Sequence, residues 1–343
     1  MRERIARIEI TPRQFELLAY AALAALTLIV ATGAAVRLTD SGLGCPDWPR
    51  CYGHAYPPLR THALIEFSNR IVSGGVGVVV VLVAVAAWRR RPFRRDLMVL
   101  SVLLPLGVLG QAVLGGYTVE NKLAPGFVMA HFELSMLILV GAVALAWRAR
   151  ENRGEQEPDA QPVDRVSVWA VRSLLPLAAI AIFAGTAATG AGPHSGGVSG
   201  QQIKRLHFEG ADTLNWTIHV HAALAFALGI AAVAVWVLLE RRQANPQARR
   251  AISWLCALIA AQGVVGVVQY EAHLPTELVW VHVALASLSW LCVLWSVAAI
   301  GPPLASRARK RPQIRASVVH PNAATSGTGA SFGQASDHLR GVS

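Results

Sequence analysis

The sequence predicts an all-α integral membrane protein whose eight transmembrane helices form two tandem four-helix bundles related by an internal duplication. Three observations support this prediction: few charged residues, eight long apolar runs, and a pattern that recurs in both halves. Only 15% of the 343 residues are charged and the mean hydropathy is +0.43. Soluble domains average about 25% charged residues, so the composition favours a membrane protein.

Apolar runs long enough to cross a bilayer occur eight times. About 20 apolar residues in a helix span the roughly 30 Å of hydrocarbon. Seven of the runs carry no charge, and the run at 127–147 is interrupted only by His131 and Glu133. The first run lacks a signal-peptide cleavage pattern, so we expect it to be retained. The predicted spans are residues 17–36, 71–88, 97–118, 127–147, 173–190, 214–239, 251–270 and 278–305.

The basic residues predict the orientation of these spans. The net charge of +11 could suggest nucleic-acid binding, but 24 of the 31 Lys and Arg lie in the two termini and in three of the connecting segments. With eight spans, all five of these segments lie on one side, and cytoplasmic segments are the ones that collect Lys and Arg. We therefore expect a multi-pass protein of the cell (plasma) membrane with both termini cytoplasmic and no nucleic-acid partner.

An internal repeat divides the chain. Gln111 and Gln262 begin the matching stretches "QAVLGGYTVENKLAPGFVMAH" and "QGVVGVVQYEAHLPTELVWVH", and each stretch reaches a histidine twenty residues later. The same offset brings Asn69 within one residue of His221. We expect an N-terminal half at 1–148, a cytoplasmic linker at 149–167, a C-terminal half at 168–305 and a disordered cytoplasmic tail at 306–343.

Two histidines at matched depth mark the C-terminal half. His221 and His282 lie just inside the sixth and eighth spans, which run in the same direction. Two such imidazoles facing each other in a four-helix bundle suit the axial ligation of a heme iron. The alternative is that each is an isolated histidine hydrogen-bonded to a neighbouring helix. His219 is about 200° away from His221 around the helix, so only one of them faces the core, and the repeat favours His221.

The N-terminal half has Asn69 and His131 at the corresponding positions. Asparagine is a poor iron ligand, so this half does not repeat the histidine pair, and His62 is only a possible substitute. The asymmetry predicts that the C-terminal half holds a permanent cofactor while the N-terminal half binds something that reacts and leaves. Glu66 lies one turn before Asn69, either paired with Arg70 four residues later or catalytic.

Four motifs resemble the heme A synthase family of CtaA-type membrane enzymes, here as an actinobacterial-like member. They are "RLTDSGLGCPDWPRC", "HALIEFSNR", "MAHFELSML" and "TGAGPHSGG", and the resemblance extends from about residue 32 to about residue 297. It implies an oxidoreductase that acts on a CH group of heme O, oxidising the C8 methyl to a formyl group by successive hydroxylations with oxygen from water.

The resemblance also implies roles for individual residues. A heme B cofactor maps onto His221 and His282 as axial ligands, and the substrate heme maps onto Glu66 and His131. The family commonly has Glu-x-x-His-Arg in the second helix, whereas this chain has "EFSNR" with Asn69 in place of the histidine. Glu66 is then the candidate catalytic residue, Asn69 and His131 contact the substrate heme, and His131 ligates its iron.

The outer loop at residues 38–64 carries Cys45 and Cys51. Outside the membrane the conditions allow disulfides, and the short, proline-rich loop is compatible with a bridge, which makes it a stiff lid over the N-terminal cavity. The bridge is either a structural staple or a redox-active pair that exchanges with an external thiol-disulfide protein. A zinc site is disfavoured, because the C-terminal half has no matching cysteine pair.

The sequence is also compatible with further partners and with two other functions. Membrane lipid is expected around the spans, the resemblance implies a heme O synthase as a partner, and a homo-oligomer is possible. A b-type electron-transfer cytochrome would need two bis-histidine hemes stacked across the bilayer, but the chain has one such pair. A heme permease would favour broken helices at the midplane, and Gly and Pro interruptions inside the spans are few.

Overall fold

Eight helices make up the protein in the computed structural model, which describes residues 9–150, 164–198, 200–209 and 212–301. In chain order they are α1 Pro12–Leu38, α2 Thr61–Arg89, α3 Arg95–Glu120, α4 Pro125–Arg150, α5 Arg165–Ala191, α6 Thr213–Arg241, α7 Pro246–Glu271 and α8 Thr276–Ile300. No β-strand occurs among these described residues. The predicted all-α class and the number of spans are confirmed.

Every helix is long and apolar enough to cross a membrane, with 25 to 29 residues each. Only a helix or a closed barrel satisfies all backbone polar groups within hydrocarbon, and large apolar side chains such as Leu28 and Trp254 are exposed and lie outside the cavity wall. The chain is therefore a multi-pass membrane protein. Its predicted orientation and its placement in the plasma membrane stay predictions.

Most helices extend beyond the predicted spans, by eight residues at the start of α5 and by ten at the start of α2, whereas α8 ends earlier than predicted. Helix α2 begins ten residues earlier than predicted, because the search for uncharged runs excluded the turn that contains Glu66 and Arg70. Helix α8 ends at Ile300, where Gly301 adopts a φ of +73°, a conformation that glycine adopts without steric cost. The predicted span continued to residue 305, and residues beyond 301 lie outside the described part.

Local capping explains where several helices begin. Thr11 and Gln14 form a capping box at α1, and Asp164, Asp212 and Asn245 each accept a backbone N–H in the first turn of α5, α6 and α7. These side chains satisfy N–H groups that have no partner within the helix. The predicted linker at 149–167 overlaps the last residues of α4 and the first turn of α5; residues 151–163, like the predicted tail at 306–343, lie outside the described residues.

The helices pack as two groups that share one core. Within the first group α1 contacts α2 and α4, and α3 contacts both α2 and α4; within the second, α5 contacts α6 and α8, and α7 contacts both α6 and α8. The groups meet where α1 and α4 contact α8 and where α4 contacts α5. This packing agrees with two four-helix halves, and their origin by duplication stays a prediction.

Candidate active site

The loop between α1 and α2, residues 39–60, is called the Cys loop from here on. Cys45 and Cys51 form a disulfide with their Cα atoms 4.7 Å apart, so the predicted bridge is confirmed. Asp47 closes the turn between them, because its carboxylate accepts the backbone N–H groups of Tyr52 at 2.6 Å and Gly53 at 2.8 Å. Both cysteines have 0% exposure, so a thiol reaches the bridge only after the loop moves.

The Cys loop is docked tightly against two helices. The indole of Trp48 donates to the carbonyl of Ala112 in α3 at 2.8 Å. A methyl group at Gly116, one turn further along α3, would lie 2.1 Å from the Trp48 ring, and one at Gly44 would lie 2.2 Å from the backbone oxygen of His62 in α2. Both glycines are therefore required by close approach, since no Cβ atom fits at these distances.

Arg70 ties α2 to the Cys loop and to Glu66. Its guanidinium donates to the carbonyls of Asp47 at 3.1 Å and Arg50 at 2.9 Å, with longer contacts to two other loop carbonyls. It also forms an ion pair with Glu66, which confirms the predicted pairing four residues apart. The other oxygen of Glu66 accepts the backbone N–H of Cys45 at 2.7 Å. A single hydrogen bond therefore links the candidate catalytic carboxylate to the backbone of a disulfide cysteine.

A cavity of about 2260 Å³ extends through both halves beneath the Cys loop. Sites for a single small molecule usually measure about 300–1,000 Å³, so this cavity has room for two large planar ligands. The structure brings the predicted residues together in its wall: Glu66, Asn69, His131, His221 and His282.

His221 and His282 face each other in the second half. Their ring centroids are 6.0 Å apart and their planes are inclined by 74°. The Nδ1 atom of His221 is paired with the carbonyl of Ala181 at 2.9 Å, which leaves Nε2 available for a ligand. Nδ1 of His282 is buried without a hydrogen-bond partner in the described part of the chain.

The glycines beside these rings set their positions. A methyl group at Gly185 in α5 would lie 2.9 Å from Cε1 of His221, whereas one at Gly266 in α7 would lie 3.6 Å from Cε1 of His282. Contacts below 3.0 Å force a neighbour to move, and contacts between 3.4 and 4 Å are ordinary. The His221 ring is therefore the more closely confined of the two.

The first half contains a different set of polar groups. Nδ1 of His131 and Oδ1 of Asn69 are buried and find no hydrogen-bond partner among the described residues. Gln111 donates to the backbone carbonyl of His131 at 2.9 Å and to Ser135 at 2.7 Å, which secures this turn of α4. Both residues belong to the cavity wall, although the two unpartnered atoms are themselves buried.

Two other histidines considered from the sequence are engaged elsewhere. His62 forms a hydrogen bond of 3.0 Å with Ser41 in the Cys loop, which binds it to the loop instead of to the cavity. Nδ1 of His219 is paired with the carbonyl of Asn215 in its own helix at 2.7 Å. His221, and not His219, is the residue that meets His282.

Sequence reasoning missed a contact between the halves at the cavity wall. Arg37, at the end of α1, donates to the carbonyl of His194 at 2.9 Å and to that of Thr189 at 3.1 Å. His194 in turn is paired through Nε2 with the carbonyl of Leu274 at 2.7 Å. An arginine that directly follows an apolar run was the available signal, because such a charge needs partners near the membrane.

The sequence matches the model of the COX15-CtaA family of cytochrome oxidase assembly proteins over residues 16–64 and 59–294. The chain belongs to this family. Among members of the cytochrome oxidase assembly family, it is similar to the heme A synthase of Symbiobacterium thermophilum, with 31% identity over 288 residues, 79% of this chain and 92% of that protein. The heme A synthase of Shouchella clausii is 28% identical over 281 residues, 79% of this chain and 91% of that protein.

A third member of the cytochrome oxidase assembly family matches over a shorter region. The heme A synthase of Shewanella oneidensis is 33% identical over 178 residues, which is 46% of this chain. The match spans about half the length of that relative, 49%.

Proposed function

We propose that this protein is a heme A synthase, a membrane oxidoreductase that converts heme O to heme A. Family membership and the names of the relatives support this function. The observation that carries it is the asymmetry of the shared cavity: a facing histidine pair in one half, and a single histidine with an asparagine in the other. A permanent cofactor benefits from two fixed ligands, whereas a substrate must enter, react and leave.

The second half suits a resident heme, which we propose to be heme B. Metal–imidazole bonds measure about 2 Å on each side of a metal, and the 6.0 Å between the rings of His221 and His282 leaves room for an iron between them. The free Nε2 of His221, whose Nδ1 is paired with Ala181, and the confined ring of His221 agree with this use. When bound there, heme B supplies one-electron redox chemistry.

The first half suits the substrate heme. His131 holds its iron from one side, and Asn69 on α2 is too weak a ligand to fix the other side. Glu66 is 6% exposed and lies in the cavity wall, with one oxygen bonded to Cys45 and the other to Arg70. The carboxylate accepts a proton from water or stabilises positive charge that develops at the oxidised methyl group.

The proposed reaction takes its oxygen from water. In each hydroxylation a water oxygen is joined to the methyl carbon of heme O, and two protons and two electrons leave. The second hydroxylation yields a carbon with two hydroxyl groups, which loses water to give the formyl group of heme A. The electrons go to an acceptor outside the chain, and Glu66 is the residue placed to take up a proton.

Location and partners follow from the same function. We place the protein in the plasma membrane with both termini cytoplasmic, surrounded by lipid, and next to a heme O synthase that delivers the substrate. A homo-oligomer belongs to the same proposal. An external thiol-disulfide protein is a further partner, and the burial of Cys45 and Cys51 means that it acts only on an opened Cys loop.

Heme extraction tests the proposed function. We would express the protein in a host that makes heme O but no heme A and analyse the acid-extracted hemes by chromatography and mass spectrometry. A species with the mass of heme A, or of its hydroxylated precursor, is expected. If heme O stays unchanged in the presence of a competent electron acceptor and only heme B copurifies, the result contradicts the heme A synthase function and supports a b-type cytochrome.

Two variants test the roles within the site. Glu66→Gln should lower the yield of heme A about 100-fold, a typical contribution of a positioned acid or base. Glu133→Gln is the matched control, since Glu133 lies on α4 outside the cavity wall, and it should keep full activity. His282→Ala should remove the bis-histidine absorption spectrum of the resident heme; an unchanged spectrum would assign that heme to other ligands.

A further inference from the structure

The cavity reaches α2 and α3 in the first half, within their apolar spans. In the first half, Val78 of α2 and Leu109 of α3 line the cavity and are 59% and 61% exposed. At the end of the bundle, Trp48, Pro49 and Arg50 of the Cys loop form part of the cavity wall. Because this loop lies over the end, a route between α2 and α3 would let an apolar ligand reach the first half from the side.

The second half has an equivalent gap between α6 and α7. If Asn69 is placed at the position of His221, four of the seven buried positions of α2 coincide with buried positions of α6. The pairs that are buried in both helices are Val76 and Leu228, Val80 and Ala232, Val83 and Val235, and Ala87 and Leu239. The helix crossings also agree, because Gly77 faces Val108 in the first half and Gly229 faces Ile259 in the second. The two gaps are therefore comparable position by position.

The residues that line the two gaps differ at several positions. Leu82 and Leu109 of the first half correspond to Ala234 and Ala260 of the second, whereas the position of Gly74 differs in the opposite direction. Gly74 lies on the rim in the first half, and the same position in the second half is Phe226, which is 72% exposed and lines the cavity. A methyl group added at Gly74 would meet no atom within 4 Å in the described part of the chain. At the crossing, a Cβ added at Gly77 would lie 3.8 Å from the Val108 side chain, and one added at Gly229 would lie 3.3 Å from the Ile259 side chain.

Building on the heme A synthase function, we propose that the gap between α2 and α3 is the binding groove for the isoprenoid chain of heme O. Heme O carries this long apolar chain and heme B does not. Gly74 lies five residues beyond Asn69, about 7.5 Å deeper along α2, so the chain leaves the porphyrin site at hydrocarbon depth and remains in an apolar environment. Phe226 occupies the equivalent rim and excludes such a chain from the cofactor half.

The test is a pair of neighbouring substitutions, Gly74→Phe and Gly75→Phe. Both glycines are exposed on α2 and both have open space around an added Cβ within the described residues, but only Gly74 is in the cavity wall. Protein purified with its resident heme is titrated spectroscopically with heme O and, separately, with heme B. Wild type is expected to bind heme O at least tenfold more tightly than heme B.

Gly74→Phe should weaken heme O binding about tenfold, equivalent to about 1.4 kcal/mol, and leave heme B binding unchanged. Gly75→Phe should resemble wild type for both ligands. The inference is wrong if wild type binds the two hemes equally tightly, or if Gly74→Phe still prefers heme O. It is also wrong if Gly75→Phe loses the preference for heme O as strongly as Gly74→Phe does. A wild-type protein that prefers heme O in the titration but makes no heme A would refute the proposed function and leave the groove supported.

Discussion

Replacing Arg70 with alanine should open the Cys loop. This guanidinium bridges α2 and the loop, because it donates to the carbonyls of Asp47 and Arg50 and pairs with Glu66. Its side chain is 21% exposed and that of Glu66 is 7% exposed, so water replaces the lost contacts only in part. The closed position of the Cys loop would then depend on the hydrogen bond of Trp48 to Ala112 and on the turn closed by Asp47.

The expected magnitude follows from these contacts. A hydrogen bond from a charged donor contributes about 1.5–3 kcal/mol, and Arg70 makes two of 3.1 Å or less to the loop carbonyls. Taking the lower value for each, the free energy of opening the loop falls by about 3 kcal/mol. The open fraction should therefore rise roughly a hundredfold.

Reduction of the disulfide reports this open fraction. Cys45 and Cys51 are fully buried, and reduction requires a thiolate to reach one of the sulfurs. When the loop closes faster than the thiolate attacks, the reduction rate is proportional to the open population. We would expose the native protein to a dithiol, trap free cysteines with a maleimide and follow the mass increase with time.

A second arginine provides the control. Arg60 is the last residue of the Cys loop and contacts the ring of Tyr52 within it, with Cζ 5.6 Å from the ring centroid, an interaction worth about 0.5–1 kcal/mol at exposed sites. Arg60→Ala should therefore raise the reduction rate about fivefold or less, and in denaturant both variants should be reduced at the wild-type rate. If native Arg70→Ala is reduced no faster than wild type, Arg70 does not hold the loop closed.

Two further substitutions test close contacts around the site. Gly185→Ala would place a methyl group 2.9 Å from His221, so we expect the imidazole to shift and the heme content of the purified protein to fall at least twofold, measured by absorption, at a strain cost of about 1–3 kcal/mol. Gly116→Ala would place a methyl group 2.1 Å from the ring of Trp48. It should displace the indole from α3 and raise the reduction rate of the disulfide about tenfold, again at about 1–3 kcal/mol.

Each of these substitutions has a glycine control. Gly266→Ala brings a methyl group to 3.6 Å from His282. Gly110 lies on the same helix as Gly116, and Gly110→Ala brings a methyl group to 3.7 Å from Leu134. Both are ordinary contacts, so heme content and reduction rate should remain at wild-type values. Equal losses in Gly266→Ala and Gly185→Ala would argue against a specific confinement of His221.

Parts of the fold and of the site were predictable from the sequence. Eight spans were predictable because hydrocarbon tolerates few charges, so composition alone marks each crossing. The first turns of α2 were missed, since an uncharged run excludes Glu66 and Arg70 although the two neutralise each other within the helix. The choice of His221 over His219 came from the repeat, and the structure brings that residue to His282.

By itself the sequence determined the class of protein, the number of helices and the residue types available for heme chemistry. Only the tertiary structure decided that Glu66, Asn69 and the three histidines line a single cavity. It also decided that Arg70 serves the loop carbonyls as well as Glu66, and that one rim carries Gly74 where the other carries Phe226. Hydropathy and spacing act along one helix, whereas shared cavities and loop contacts depend on how separate helices pack across the bundle.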